Sequence, residues 1–233
     1  MSHREQTRGE WRWVRRACLT LSAGAVLLLP GRSLRAAQPV ALAEWELHDS
    51  LGHAWSNELL HYELDLKTPL NTGEPVSLQD ETGQPVPVQV LSSRTNAGGK
   101  ATHVRVALQT SLAPFGQRRF RLVAGKPPAF AVDLTSAKEG DRWVLANSKI
   151  GVALPAGEGK FPDGKPIGEI PAPILSVRGA GSGWVGKGWF TGDRKALGWK
   201  SELLATGPVL AWGRISYDFG NGALYILDVR VPA

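Results

Sequence analysis

The chain has 233 residues, 27 Lys+Arg against 21 Asp+Glu, a formal net charge of +6, one cysteine and nine tryptophans. Seven of the bases (Arg4, Arg8, Arg12, Arg15, Arg16, Arg32, Arg35) and two of the acids (Glu5, Glu10) lie within residues 1–37, which leaves 20 bases against 19 acids beyond. The basic character therefore belongs to the first segment. Nucleic-acid binding, which needs basic charge clustered on a folded domain, is excluded.

Residues 1–37 read as an export signal. A basic stretch precedes an apolar run from Leu19 to Leu29, then Pro30-Gly31 and the small pair Ala36-Ala37, with Ala41-Leu42-Ala43 as a later cleavage candidate. The run is about half the length of a bilayer span, so no permanent membrane anchor is expected. Arg15-Arg16 just before the run resembles a twin-arginine signal, and an ordinary secretory signal stays open beside it. Either route exports the protein to the periplasm or the medium. Cys18 lies in this segment ahead of the apolar run, the wrong place for a lipid-modified cysteine. The remaining chain has no thiol, so disulfides, cysteine zinc sites and thiol nucleophiles are excluded from it. Its core alone must hold it, and about 195 residues suffice, since a chain of that size buries roughly 70% of its unfolded surface.

The remainder reads as strands. Leu60, Tyr62, Leu64 and Leu66 alternate with His61, Glu63 and Asp65, the two-residue period of a half-buried strand. Val86, Val88 and Val90 repeat the pattern, as do Val104, Val106 and Leu108, then Phe120 and Leu122. Turn signals separate these runs at Asn71-Thr72-Gly73, Asp80–Gly83, Asn96–Gly99 and Ala113–Gly116. No helical period intervenes, so an antiparallel barrel or sandwich is expected over residues 40–125, taken here as a small barrel-like domain. Gly125-Lys126-Pro127-Pro128 reads as a linker. An antiparallel β-sandwich over 129–233 follows, with strands at Trp143–Asn147 and Ile150–Leu154 and a long Gly/Pro-rich loop over Pro155–Pro173. Val209–Phe219 and Ala223–Val231 flank Gly220-Asn221-Gly222, a strong hairpin signal. The fold class is thus all-β. The last residues stop two positions past an apolar strand, from which a larger protein continuing the sandwich is expected, against a naturally short chain.

Trp184, Trp189, Trp199 and Trp212 fall within thirty residues, interleaved with six glycines. Exposed indoles in flexible loops suit the C–H face of sugar rings. They suit a core equally well, because burying one removes up to about 250 Å² from water, roughly 6 kcal/mol at 25 cal/mol/Å² before entropy. Trp184, Trp189 and Trp199 are the candidate carbohydrate-binding residues. Glycoside cleavage needs two facing carboxylates roughly 5–9.5 Å apart. Asp163, Glu169, Asp193 and Glu202 lie in turn-rich segments, with solvated loop charges as the plain alternative. His48, His53, His61 and His103 show no metal-ligand spacing, and His61 and His103 fall on the polar phase of their strands, where surface positions are expected. No nucleophile elbow, phosphate loop or dinucleotide fingerprint is present; Gly179–Gly183 lacks the Lys-Ser/Thr ending and the following helix. Neither metal nor cofactor is expected, and the catalytic residues are unassigned.

Leu78–Val90 (LQDETGQPVPVQV) is similar to a strand–turn–strand signature of β-domains in large exported carbohydrate-active proteins. Leu145–Val152 and Glu202–Val209 resemble the opening strands of a β-supersandwich, and Gly222–Tyr225 with Asp228–Val231 resembles the hairpin that follows. Together these resemble the N-terminal region of exo-rhamnogalacturonan-lyase-like (YetA-like) proteins, with the α-mannosidase supersandwich a close rival. The first resemblance implies a RIFT-type barrel, then a supersandwich and a helical toroid, and lysis of a uronic-acid-containing polysaccharide by C5 proton abstraction and β-elimination. That chemistry needs a base and a group that neutralises the uronate. The family places them mainly on the toroid and supersandwich groove, so none is carried onto this chain. A polysaccharide or oligosaccharide is the implied partner. The competing class is a non-catalytic β-module of the cell envelope binding carbohydrate or protein.

Overall fold

The computed structural model describes residues 40–233. The export-signal reading, Cys18 and the arginine pair lie outside the described residues. From residue 40 onward the chain is antiparallel β throughout, with one 3₁₀ turn at Ile167–Glu169 and no α-helix among the described residues.

The first half holds β1 (Ala41–His48), β2 (Trp55–Asn71), β3 (Val76–Asp80), β4 (Pro85–Val86), β5 (Val88–Thr95), β6 (Lys100–Leu112) and β7 (Gln117–Ala124). They form two sheets, ordered β1-β7-β3-β4 and β2-β6-β5. The two-residue period places Leu64 and Leu66 of β2, with Val104, Val106 and Leu108 of β6, on one inward face. Leu78, Phe120 and Leu122 of the other sheet face them in the same buried cluster. Trp45 stacks at its margin, 5.5 Å from Phe120 and 5.2 Å from Tyr62. The expected barrel is not closed. β4 is two residues long, β1 pairs only with β7, and a single residue, Pro87, separates β4 from β5 as the chain crosses between sheets. Proline has no N–H for a ladder, so the corner falls where pairing is cheapest to interrupt.

The second half holds β8 (Thr135–Glu139), β9 (Arg142–Ala146), β10 (Ile150–Pro155), β11 (Glu158–Pro166), β12 (Ser176–Gly179), β13 (Lys195–Thr206), β14 (Leu210–Asp218) and β15 (Leu224–Pro232). The sheets β12-β10-β9-β8 and β11-β13-β14-β15 pack face to face as a sandwich. Leu145, Val152 and Leu154 of one meet Ala211, Ile215, Tyr217 and Val231 of the other. The predicted hairpin is present: Gly220, Asn221 and Gly222 all take positive φ, and Ala223 N–H donates to Gly220 O. Glycine takes that conformation without penalty, which is why the turn could be read from its residues.

The expected loop over Pro155–Pro173 is instead largely β11 and the 3₁₀ turn. β11 is an edge strand with a register break between Lys160 and Lys165. An edge strand pairs on one side only, so Pro162 and Pro166 forfeit little. Ile167 and Ile170 then anchor the segment in the core.

The two halves meet through a small apolar cluster of Ala107 (β6), Val209 and Leu210, flanked by Leu59, Leu91 and Trp212. Buried Gln89 of β5 lies beside it, its carbonyl accepting from Val209 N–H at 3.2 Å and Leu210 N–H at 3.0 Å.

Candidate functional site

A groove of about 430 Å³ opens where β11 forms the edge of the sandwich, lined by Lys160, Phe161, Trp199, Lys200, Asp218 and Leu224 among others. Antiparallel pairing brings these together from four strands: Gly159 lies opposite Trp199, Lys200 opposite Ser216, and Asp218 opposite Leu224. Trp199 and Phe161 are half buried, packing against the sandwich core while also lining the groove. The neighbouring residue must be small. A Cβ on Gly159 would fall 2.7 Å from Trp199 Nε1 and 2.8 Å from the Phe161 ring.

Three lysines and three carboxylates surround these rings. Lys165 Nζ stands 5.4 Å from the centre of the Phe161 ring, within cation–π range. Lys200 pairs with Glu202 at 2.7 Å, which raises the lysine pKa chiefly through that hydrogen bond. Lys160 lines the same groove, with Glu158 and Asp218 as its acids.

A second depression of about 440 Å³ shares Leu224 with the groove and is lined by Phe190, Asp193, Arg194 and Tyr225. Phe190 packs edge-on against Tyr217 at 4.9 Å and lies 5.8 Å from Tyr225. Tyr217 is buried and donates to Pro171 O at 2.7 Å; burial pushes its pKa well above the ordinary phenol value. It is a structural hydroxyl, unsuited to proton transfer. Tyr225 is 40% exposed, with its ring 6.0 Å from that of Tyr217.

The three predicted tryptophans do not share one cavity. Trp199 lines the groove. Trp189 is 78% exposed on the preceding loop, next in sequence to Phe190. Trp184 is half buried over β10, its ring 5.4 Å from the Arg142 guanidinium and 5.3 Å from that of Arg178. Two cations therefore engage the indole that the sequence offers as a sugar platform. Trp212 is similarly occupied, with Arg230 4.3 Å from its ring centre. Nothing in the sequence singles out Phe161, Phe190 and Tyr225, which line these two depressions. Phe161 sits in the segment read as loop, and only strand pairing brings it beside Trp199.

The four candidate carboxylates lie on separate segments: Asp163 on β11, Glu169 in the 3₁₀ turn, Asp193 on the loop before β13, and Glu202 on β13, held by Lys200. Among the described residues no group of three or more His, Cys, Asp and Glu is arranged to hold a metal. No helix among them is long and apolar enough to cross a membrane.

A smaller cavity of about 240 Å³ lies at the β1–β2 corner, lined by Leu47, Leu51, Trp55, Leu60 and Leu112 around Asp49. Asp49 is saturated. Its carboxylate accepts from the N–H groups of Leu51, His53 and Phe115 and from Trp55 Nε1, at 2.8–3.1 Å. These bonds, that from Trp55 first, draw its pKa down to about 2. It ties the loop after β1 to the β6–β7 turn and keeps no acceptor free for a ligand.

No protein-family model matches the chain, and no curated protein matches it. Among solved structures it is similar to a protein in glycosyl hydrolase family 38 from Enterococcus faecalis, at 16% identity and a TM-score of 0.38, covering 75% of this chain and 24% of that one. It is also similar to an α-mannosidase from Enterococcus faecalis V583, at 14% identity and a TM-score of 0.35, covering 77% of this chain and 24% of the other. The chain thus spans about a quarter of the length of the structures it matches.

Proposed function

We propose that this is the N-terminal β-region of an exported carbohydrate-active protein, of the lyase-like (YetA-like) type, and that it holds a uronic-acid-containing polysaccharide along the β11 edge of the sandwich. The observation that carries the reading is the groove that Trp199 and Phe161 line together with Lys160, with Lys165 over the Phe161 ring. Aromatic carbon meets the C–H face of a sugar ring, and ammonium groups meet its carboxylate. Trp189 extends the aromatic surface along the loop, and Trp184, braced by Arg142 and Arg178, fixes the base of that loop. The chain's part in this reading is to bind and orient the polymer. No proton-transfer role falls to its scattered carboxylates.

Calorimetric titration with oligogalacturonate tests the reading. Lys160→Gln with Lys165→Gln should weaken binding about tenfold or more and flatten its salt dependence, and Trp199→Phe should weaken it less than Trp199→Ala. A folded protein that binds neither oligogalacturonate nor a panel of neutral polysaccharides at millimolar concentration refutes it. One observation favours the second reading, a protein-binding envelope module. β15 ends its sheet with Leu224, Tyr225 and Ile226 exposed on its two faces, beside a strand edge unpaired among the described residues.

A further inference from the structure

The outer face of the β2-β6-β5 sheet is covered in part by the sandwich. Ala107 packs against Val209 and Leu210, and Trp212 joins that cluster. His61 lies opposite Ala107 in the β2–β6 ladder, and Arg105 is two residues before Ala107 on β6, so both point to the same face. From the sandwich side, Arg230 of β15 reaches over the Trp212 ring. The result is three nitrogen-rich side chains from β2, β6 and β15 at one junction.

The carboxylates nearest to them are shared with other partners. Arg105 is half buried and makes no ion pair among the described residues, and its Nε is buried without a hydrogen-bond partner. Glu63, its ladder partner on β2, reaches instead to His103 Nε2 at 3.6 Å, and Asp65 binds His103 Nδ1 at 2.8 Å. Asp228 lies 3.9 Å from Arg230, but both its oxygens accept from Arg214, at 2.7 and 2.8 Å. His61 Nε2 is likewise buried and unpartnered. Burial, together with the positive charges of Arg105 and Arg230, holds the imidazole below its ordinary pKa. A half-buried guanidinium without a counter-ion is unfavourable by itself, and an anion beside it reverses the sign.

We propose that this junction is an oxyanion site, taking the carboxylate or sulfate group of an acidic ligand between Arg105 and Arg230 with His61 alongside. It is distinct from the groove at Trp199 and stands whether or not that groove binds sugar. The fork of Arg105 suits two oxygens at once, and His61 adds a third cation when protonated.

The test is an NMR titration of the imidazole resonances of the full chain, alone and with sodium galacturonate or sodium sulfate, against sodium chloride at equal ionic strength. In chloride, His61 should titrate below the ordinary imidazole value. A bound oxyanion should raise its midpoint saturably by about half a unit or more, because the anion favours the charged ring. Arg105→Gln should raise the His61 midpoint without ligand and weaken the anion response about tenfold, while Trp199→Phe leaves that response unchanged. A response to galacturonate alone identifies a carboxylate site, and a response to both identifies a general oxyanion site. A His61 midpoint that moves no further with either anion than with chloride overturns the proposal, as does an Arg105→Gln protein that responds as fully as the parent.

Discussion

Replacing Gln89 with methionine keeps the length of the side chain and removes its amide. In the native protein that carbonyl accepts from Val209 N–H and Leu210 N–H, both buried, 120 and 121 residues away in sequence. Two buried donors would lose their acceptor, at about 1–3 kcal/mol each. Against this stands Nε2 of the same amide, already buried without a partner. Its removal relieves one desolvation cost of the same order, so the net loss is about 1–3 kcal/mol. With a urea m-value of about 2 kcal/mol/M, the unfolding midpoint of Gln89→Met should fall by about 0.5–1.5 M at constant m. Hydrogen exchange adds a local readout: the Val209 and Leu210 amides should lose protection out of proportion to Ile215 in the middle of β14. A midpoint within about 0.2 M of the parent, or unchanged protection at both amides, would refute the view that this side chain clamps the halves together.

Three further outcomes follow from the geometry. The Asp49 pKa is about 2 in the folded protein against 3.8 ordinarily, so the carboxylate stabilises the fold fully above pH 4, and that contribution disappears as pH falls toward 2; the gap between urea midpoints at pH 5 and pH 2.5 should therefore shrink in Asp49→Asn, and an equal gap in both proteins contradicts the assignment. A Cβ on Gly188 would lie 1.7 Å from the Ile174 carbonyl oxygen, which as backbone cannot swing aside, whereas Gly183 faces open space. Gly188→Ala should cost about 1–3 kcal/mol in urea unfolding and Gly183→Ala almost nothing, and equal midpoints would show that the loop relaxes freely. On the β15 edge, Ile226→Lys should leave the unfolding midpoint nearly unchanged while lowering any concentration-dependent self-association seen by light scattering, since Ile226 is 50% exposed on a strand whose outer edge is unpaired among the described residues.

Much of the architecture is local and could be read residue by residue. The two-residue alternation in β2 and β6 places Leu64, Leu66, Val104, Val106 and Leu108 inward because a strand's side chains switch faces at every step. The Gly220-Asn221-Gly222 hairpin follows from the positive φ that its residues tolerate. β11 is not legible in the sequence because Pro and Gly disfavour a central strand, and nothing local announces that a segment will sit at an edge. The same limit applies to the candidate site. Trp199 was marked by its residue type, but Phe161, Lys160 and Lys165 join it only through the β11–β13 ladder, and Arg142 and Arg178 occupy Trp184 only through the fold of the other sheet.

His61 marks the division between the two kinds of information. Alternation assigns it correctly to the outer face of β2, away from the core between the first two sheets, and from that pattern alone it should be a surface histidine. The tertiary structure then lays β14 and β15 against that face, buries its Nε2, and sets Arg105 and Arg230 beside it. Periodicity reports which side of its own sheet a residue occupies, because that depends on neighbours two positions away. What covers that side depends on strands more than a hundred residues later, and only packing decides it.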